Sequence, residues 1–465
     1  MERDVGIVGY LTSTPAVGGT IKLSPEDFVV EEISAPPAAS AEGRFTIAQI
    51  RVRRWETNRL IREFARILHI SRRRIGFAGT KDKQAVTTRL FSFEGVPPES
   101  VRGIRLKDLE VLDAFRSDRG LEIGDLAGNR FQIVVRGLQM APDAAADAVA
   151  ETERALRLLG GFPSFFGVQR FGSVRPITHV VGRHLVHGEF EEAVQAYVAN
   201  PLEGEDPASY EVRSTLQETG DVQLALRTFP KSYGFEKAIL NHLAARPGDY
   251  VGSLRALPFN LLMMFVHGYQ SYLFNRILSE RMRRGLPLHE PVAGDVVLPA
   301  DAQGLPDRGR TIDVTCDNLE RAAQRCREGK GWVSAILFGS EPEFAGGEPG
   351  QIEKEIVASE GLRPEDFIIP EIPRISSKGT RREILAPVRN LAARVEEGNL
   401  LLSFDLTRGS YATSLVREDV PAVGCGLAKL LMRPGGLRRH NDRDRGCTSR
   451  PLDFELHGFA RSTGE

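Results

Sequence analysis

Cysteine is scarce: four residues among 465, at positions 316, 326, 425 and 447, with no C-x-x-C pair. That excludes a disulfide-stapled scaffold and, with only nine histidines to supplement them, speaks against a structural zinc site. An excess of one charge is also missing, since 61 Lys and Arg face 62 Asp and Glu for a formal net charge of −1. A uniformly basic protein that coats nucleic acid by bulk charge is therefore set aside, although a basic patch on a balanced body is not. No apolar run approaches the roughly 20 residues that span a bilayer, and no charged-then-apolar leader follows Met1. The expectation is a chain with no membrane partner and a cytoplasmic home. No G-x-x-x-x-G-K-[ST] loop is present, which removes the phosphate-cradling NTPases, and no fixed-period repeat suggests a solenoid.

What is present is ordinary globular material, 41% hydrophobic and 26% charged, in a chain long enough for two or three domains. From Thr20 to Glu32 the pattern predicts strand, turn, strand, the second led by Phe28. Leu60, Ile61, Phe64, Ala65 and Leu68 recur at helical spacing, predicting an amphipathic helix between Glu56 and His69. Ile75 to Val86 reads as a strand entering a tight glycine-led loop, and 89–93 and 130–136 as further strands. A helix led by Pro142 and ended by Gly160 marks a shift in composition. The segments 189–198, 236–246, 257–283 and 318–327 beyond it all carry the helical period. Strand character returns at 383–388 and 400–406, as though an earlier domain resumed after an insertion. The breaker-rich residues beyond Val416 suggest a loosely attached tail.

Chemistry concentrates between Arg51 and Lys83, where eleven basic residues face three acidic ones for a net charge of +8. A solvated helix face is one reading. A phosphate-contacting surface is the other, because a merely solvated face usually mixes both signs. Asp82 lies inside this cluster between Lys81 and Lys83. Neighbouring cations favour the ionised carboxylate and keep it available as nucleophile or base, although an Asp that merely caps a turn fits as well. The aromatic and glycine run 165–172, which includes Arg170, suits nucleotide stacking or a domain junction. Tyr269 to Asn275 reads as core, and 376–382 as a basic turn before a strand.

In order along the chain, K-L-S-P-E-D-F-V-V-E (22–31), G-T-K-D-K (79–83), G-N-R-F (128–131), F-G-V-Q-R-F-G (166–172), Y-Q-S-Y-L-F-N (269–275), K-G-T-R-R (378–382) and G-S-Y-A-T-S-L-V-R-E (409–418) resemble the tRNA pseudouridine synthase D (TruD) family, in its archaeal-type long form. The resemblance implies an α+β fold: a mixed, mainly antiparallel sheet flanked by helices, circularly permuted relative to other pseudouridine synthases, with a mainly helical domain inserted. On that basis residues 1–157 and 376–418 form the catalytic domain, 158–375 the insertion and 419–465 the tail.

The resemblance also implies the reaction, isomerisation of a uridine in tRNA, most often position 13, without cofactor or metal. Asp82 matches the family's nucleophile and Lys22 its charge partner, while Phe28, Asn129, Phe131 and Tyr411 match substrate-pocket positions. Tyr411 replaces a Phe of the bacterial members. Lys81, Lys83, Arg170, Lys378, Arg381 and Arg382 are candidate RNA contacts. A monomer with no obligate protein partner is expected. The rival reading is a non-catalytic RNA-binding protein or tRNA chaperone that retains the fold.

Overall fold

The structure, a computed structural model, describes residues 1–172 and 174–420. They divide into two compact units, 12–162 with 386–420 and 1–11 with 163–385. Most of the tail expected over 419–465 thus lies outside the described residues.

The first unit is built from β1 (Phe28–Ile33), β2 (Phe45–Arg53), α1 (Thr57–Ile67), β3 (Ile75–Phe77), β4 (Val86–Glu94), α2 (Pro98–Arg102), β5 (Leu109–Ser117), β6 (Gly128–Val135), α3 (Pro142–Leu159) and the short β7 (Gly161–Pro163). The strands join a sheet of order β5-β2-β4-β1-β6-β13-β12-β7, with β3 added beside β4; β12 (Leu385–Glu396), β13 (Asn399–Thr407) and a closing helix return from the far side of the insertion. Every pairing whose register is resolved is antiparallel except β1 with β4. The fold class is therefore α+β with a mixed, mainly antiparallel sheet.

Register decides which side chains share a face, since opposed residues project together and alternate along each strand. Phe28 opposes Ile133, Val30 opposes Phe131 and Glu32 opposes Asn129. Across β6, Phe131 opposes Phe404. Along β4 the same face carries Arg89, Phe91 and Phe93, and Phe64 of α1 meets the last two edge-on at 5.2 and 5.4 Å. With Ala48, Ile50, Val52, Leu60 and Ile61 these rings make a dry core under α1. Helix α1 starts where Glu56 accepts the Asn58 and Arg59 amides at 2.7 Å each. α3 begins with Pro142 and ends on Gly160 at φ +69°, as its sequence predicts.

The second unit is helical in its first half, with α4 (Thr178–Val186), α5 (Phe190–Val198), α6 (Pro207–Thr219), α7 (Val222–Thr228), α8 (Gly234–Ala245), α9 (Tyr250–Arg255) and the buried α10 (Phe259–Arg283). Its second half has α11 (Leu319–Arg327), α12 (Gly347–Ser359) and a four-stranded sheet of order β11-β10-β8-β9 from Thr380–Glu383, Gly331–Leu337, Val296–Pro299 and Ile312–Asp313. The expected return to the first domain at 376 falls instead at 386. Residues 380–383 pair with β10, from Leu337↔Thr380 to Ser334↔Glu383. Residues 1–11 also belong here, because Asn275 Nδ2 of α10 donates to the Val5 carbonyl at 2.9 Å and Ser279 Oγ to that of Gly6 at 2.8 Å.

Among the described residues no helix is long and apolar enough to cross a membrane.

Candidate active site

Lys22 sits in a turn at φ +60°, a left-handed conformation that a non-glycine residue adopts only at some cost. The turn is held from below: buried Asp27 accepts the Ser24 amide at 2.8 Å and both Arg136 donors at 2.8 and 2.7 Å. Its result is to lay the Lys22 ammonium 4.1 Å from the centre of the Phe28 ring, a cation–π contact, and in an ion pair with Asp82. Asp82 comes from the loop between β3 and β4, and its second oxygen accepts the Gln84 amide at 2.8 Å. The Lys22 side chain is 5% exposed and that of Asp82 35%, so the carboxylate is the member of the pair that meets solvent. Burial alone would raise the Asp82 carboxyl. The charge and hydrogen bond of Lys22, with the Gln84 amide, outweigh it and hold the group below the usual aspartate range.

An aromatic row extends from this pair across the sheet. Phe28 meets Phe131 edge-on at 6.0 Å, and Phe131 stacks with Phe404 at 5.3 Å. Gly128 is glycine because β13 crosses it closely; a Cβ would lie 2.1 Å from the Leu406 carbonyl oxygen. Asn129 follows on the face of Glu32 and Phe131, and its side-chain oxygen is buried with no hydrogen-bond partner among the described residues. Arg130 points the other way and pairs with Asp405 at 2.9 Å. Tyr411 is half-buried at the start of the helix Ala412–Val416, four residues beyond the end of the strand beside Asn129. Lys22, Phe28, Asp82, Asn129 and Phe131 are thus gathered at one face, and Tyr411 belongs to the same unit.

The candidate RNA contacts divide. Lys83 and Lys378 are exposed, the latter 2.9 Å from Glu341, and Arg170 is half-buried beside Ser271. Three others are corrected. The Lys81 side chain is 5% exposed and paired with Glu32 at 2.7 Å. Arg381 is buried against Glu353, also at 2.7 Å. Arg382 is buried over the Phe166 ring at 4.3 Å and donates to Ser164 Oγ at 3.0 Å. Their charges are spent inside the fold, where no phosphate reaches them. The +8 segment is likewise partly neutralised by acids from elsewhere in the chain: Glu26 pairs with Arg53 and is held down to about 2, and Glu110 lies 3.5 Å from Arg51. The exposed cations of the stretch are Arg51, Arg54, Arg59, Arg62, Arg66, Arg72, Arg73 and Lys83, of which Arg51 and Arg66 have an acidic partner.

Sequence reasoning missed Phe404, Glu32 and Arg89. The parity Phe28, Val30, Glu32 on a strand was the available signal for the buried acid. The same parity places Arg89 with Phe91 and Phe93, and Phe404 with Leu402 and Leu406.

Taken together, a lysine-paired aspartate beside an aromatic row, on an α+β sheet interrupted by a long insertion, sets the class of core to which this chain belongs. Comparison narrows the class. The family model for tRNA pseudouridine synthase D (TruD) matches residues 4–419. Relatives carrying that family's name include one from Methanococcoides burtonii, 41% identical over 425 residues that cover 90% of this chain and 96% of the relative, and one from Halobacterium salinarum, 41% identical over 431 residues with the same coverage. A crystal structure under the same family name from Methanosarcina mazei superposes with a TM-score of 0.79 at 41% identity, covering 90% of this chain and 97% of that one. The chain belongs to the tRNA pseudouridine synthase D family, and is an isomerase.

Proposed function

We propose that the protein converts a uridine of tRNA, at position 13, to pseudouridine, with Asp82 as the nucleophile and Lys22 as its charge partner. The observation that carries this reading is the Lys22–Asp82 pair, in which a buried cation keeps a partly exposed carboxylate ionised on a sheet face lined by aromatic rings. Such a carboxylate is a nucleophile at neutral pH, and an enzyme that works on a base lifted from its stack needs ring surface and a polar edge to receive it. Asn129, on the same sheet face as Phe131, supplies the polar edge, its amide carrying both acceptor and donor groups of the kind that pair with uracil. Phe28 and Phe131 supply ring surface. The reaction detaches the base at C1′, turns it and rejoins it through C5, so atoms balance without an added cofactor.

RNA is held through exposed cations, among them Lys83, Lys378 and the surface arginines of the 54–73 stretch, in a monomer that acts in the cytoplasm without a protein partner. The test is incubation with an unmodified tRNA transcript, followed by carbodiimide mapping. Wild type should yield one modified position and Asp82→Asn none. Absence of product with wild type, or equal product with Asp82→Asn, would overturn the assignment.

A further inference from the structure

The loop that presents Asp82 is fastened one residue earlier. Lys81 turns inward, its ammonium 2.7 Å from Glu32 Oε2, with both side chains almost wholly buried at 5% and 1% exposed. Glu32 is oriented by Ser34, whose hydroxyl donates to its other oxygen at 2.9 Å. Behind the pair stands Arg89, 1% exposed, which donates to Thr57 Oγ1 at 2.8 Å while its Nε and Nη2 have no hydrogen-bond partner among the described residues. The same Thr57 oxygen lies 3.4 Å from the Lys81 amide, so the first turn of α1 meets both the loop backbone and the arginine.

Burying two cations with one carboxylate is costly, and the costs show. Burial pulls Lys81 down, with Arg89 adding to the effect and Glu32 opposing it. Burial likewise brings Arg89 down to about 10 against the pull of Glu32 and Glu56. A fold that merely needed stability would place apolar side chains here. Geometry gives the arrangement another use. Lys81 is drawn into the sheet face, and the next side chain, Asp82, is the one that meets Lys22 and solvent. Glu32 also stands directly across the strand pair from Asn129, so one carboxylate tethers the loop to the strand edge that carries the proposed base-reading amide.

We propose that Glu32 and Arg89 are positioning residues: the buried Lys81–Glu32 pair, backed by Arg89, clamps the 78–85 loop and fixes the direction in which Asp82 points. This rests on the reading of Asp82 as nucleophile, and a readout independent of catalysis separates the two. Hydrogen exchange of the intact protein should show peptides spanning 78–85 exchanging at least about tenfold faster in Glu32→Gln than in wild type, with β13 peptides unchanged. With tRNA transcript, Glu32→Gln should lower kcat by tenfold or more and leave KM within about threefold, since the RNA-facing cations are untouched. Glu32→Asp, which keeps the charge, should recover part of the loss. If Glu32→Gln fails to fold, Ser34→Ala removes only the hydroxyl that orients Glu32 and should give the same pattern at smaller amplitude. Unchanged exchange of 78–85 overturns the clamp whatever the activity. So does a loss that falls on KM, or a Glu32→Asp no better than Glu32→Gln. Accelerated exchange with an Asp82→Asn that stays active would keep the clamp and sink the nucleophile instead.

Discussion

The Lys22–Asp82 pair of the first unit differs from the buried ion pairs of the helical unit. In the helical unit, Arg281 reaches both Asp295 oxygens at 2.6 and 2.8 Å, Arg213 joins Glu205 and Glu236 at 2.9 and 2.8 Å, and Arg381 meets Glu353 at 2.7 Å. None of these side chains is more than about a tenth exposed. Most of their donors and acceptors are matched, bidentately where the geometry allows, and their burial keeps them from a ligand. In the first unit the Lys22–Asp82 pair is unequal, with a buried cation and an anion one-third exposed. Charge chemistry is the same in both places. Access to one partner is what separates a pair that fastens a fold from a pair that can react.

The largest effect expected is at Asp82. Asp82→Asn keeps size and the Gln84 contact but removes the proposed nucleophile, and single-turnover pseudouridine formation per folded molecule should fall by about 10³-fold or more, with a lower melting temperature because the buried Lys22 loses its anion. A measured loss below tenfold would erase the distinction between the two kinds of pair. Next is Lys22→Met, expected to cost about 10–100-fold in kcat/KM and to move its pH profile. Asp82 is depressed in wild type, so its active, ionised form is lost only as pH falls below the usual aspartate range. Without Lys22, burial prevails and the carboxyl rises, so the acidic limb should shift to higher pH. An unmoved limb would show that Lys22 does not set the ionisation of Asp82.

How much of this was legible depends on how local each signal was. Helix α1, the lead of β1 by Phe28 and the ends of α3 were all visible, because apolar period, Pro at the first turn and Gly at the last are written within a few residues. Strands β2 and β5 were not. Arg51 and Arg53 alternate with Ile50 and Val52 on β2, and the arginines drew attention as a charge cluster while the period of two went unread. The sheet of β8 to β11 escaped because the partners of the seven-residue β10 are only two to four residues long. Attachment of residues 1–11 to α10 has no local signature at all, since the Val5–Asn275 bond closes a separation of 270 residues. At the site, Asp82 and Lys22 were legible through motif resemblance. The inward turn of Lys81 was not, because the acid that takes it lies 49 positions away and side chains of neighbouring sequence look alike until the sheet register assigns them faces.

The remaining tests sit three residues apart in one motif. Arg381→Met should strand Glu353 as a buried unpaired carboxylate, a loss of about 3–5 kcal/mol. For a unit of this size that lowers the melting temperature by roughly 6–20 °C. Activity per folded molecule at 25 °C should be retained, and calorimetry with an activity assay on the same sample checks both. Lys378→Ala should do nearly the reverse. Its partner Glu341 is 63% exposed and Lys378 itself 76%, so the pair contributes at most about 1 kcal/mol to folding and the melting temperature should move by less than about 4 °C. If Lys378 contacts a phosphate, its loss should weaken tRNA binding modestly, and the slope of log affinity against log salt should become shallower by about 0.7–0.9, the share of one phosphate contact. The slope is the discriminating quantity, because a general loss of affinity through misfolding would leave it unchanged. Lys378→Ala with wild-type slope would remove this residue from the RNA surface and leave its exposure to be explained by solvation alone.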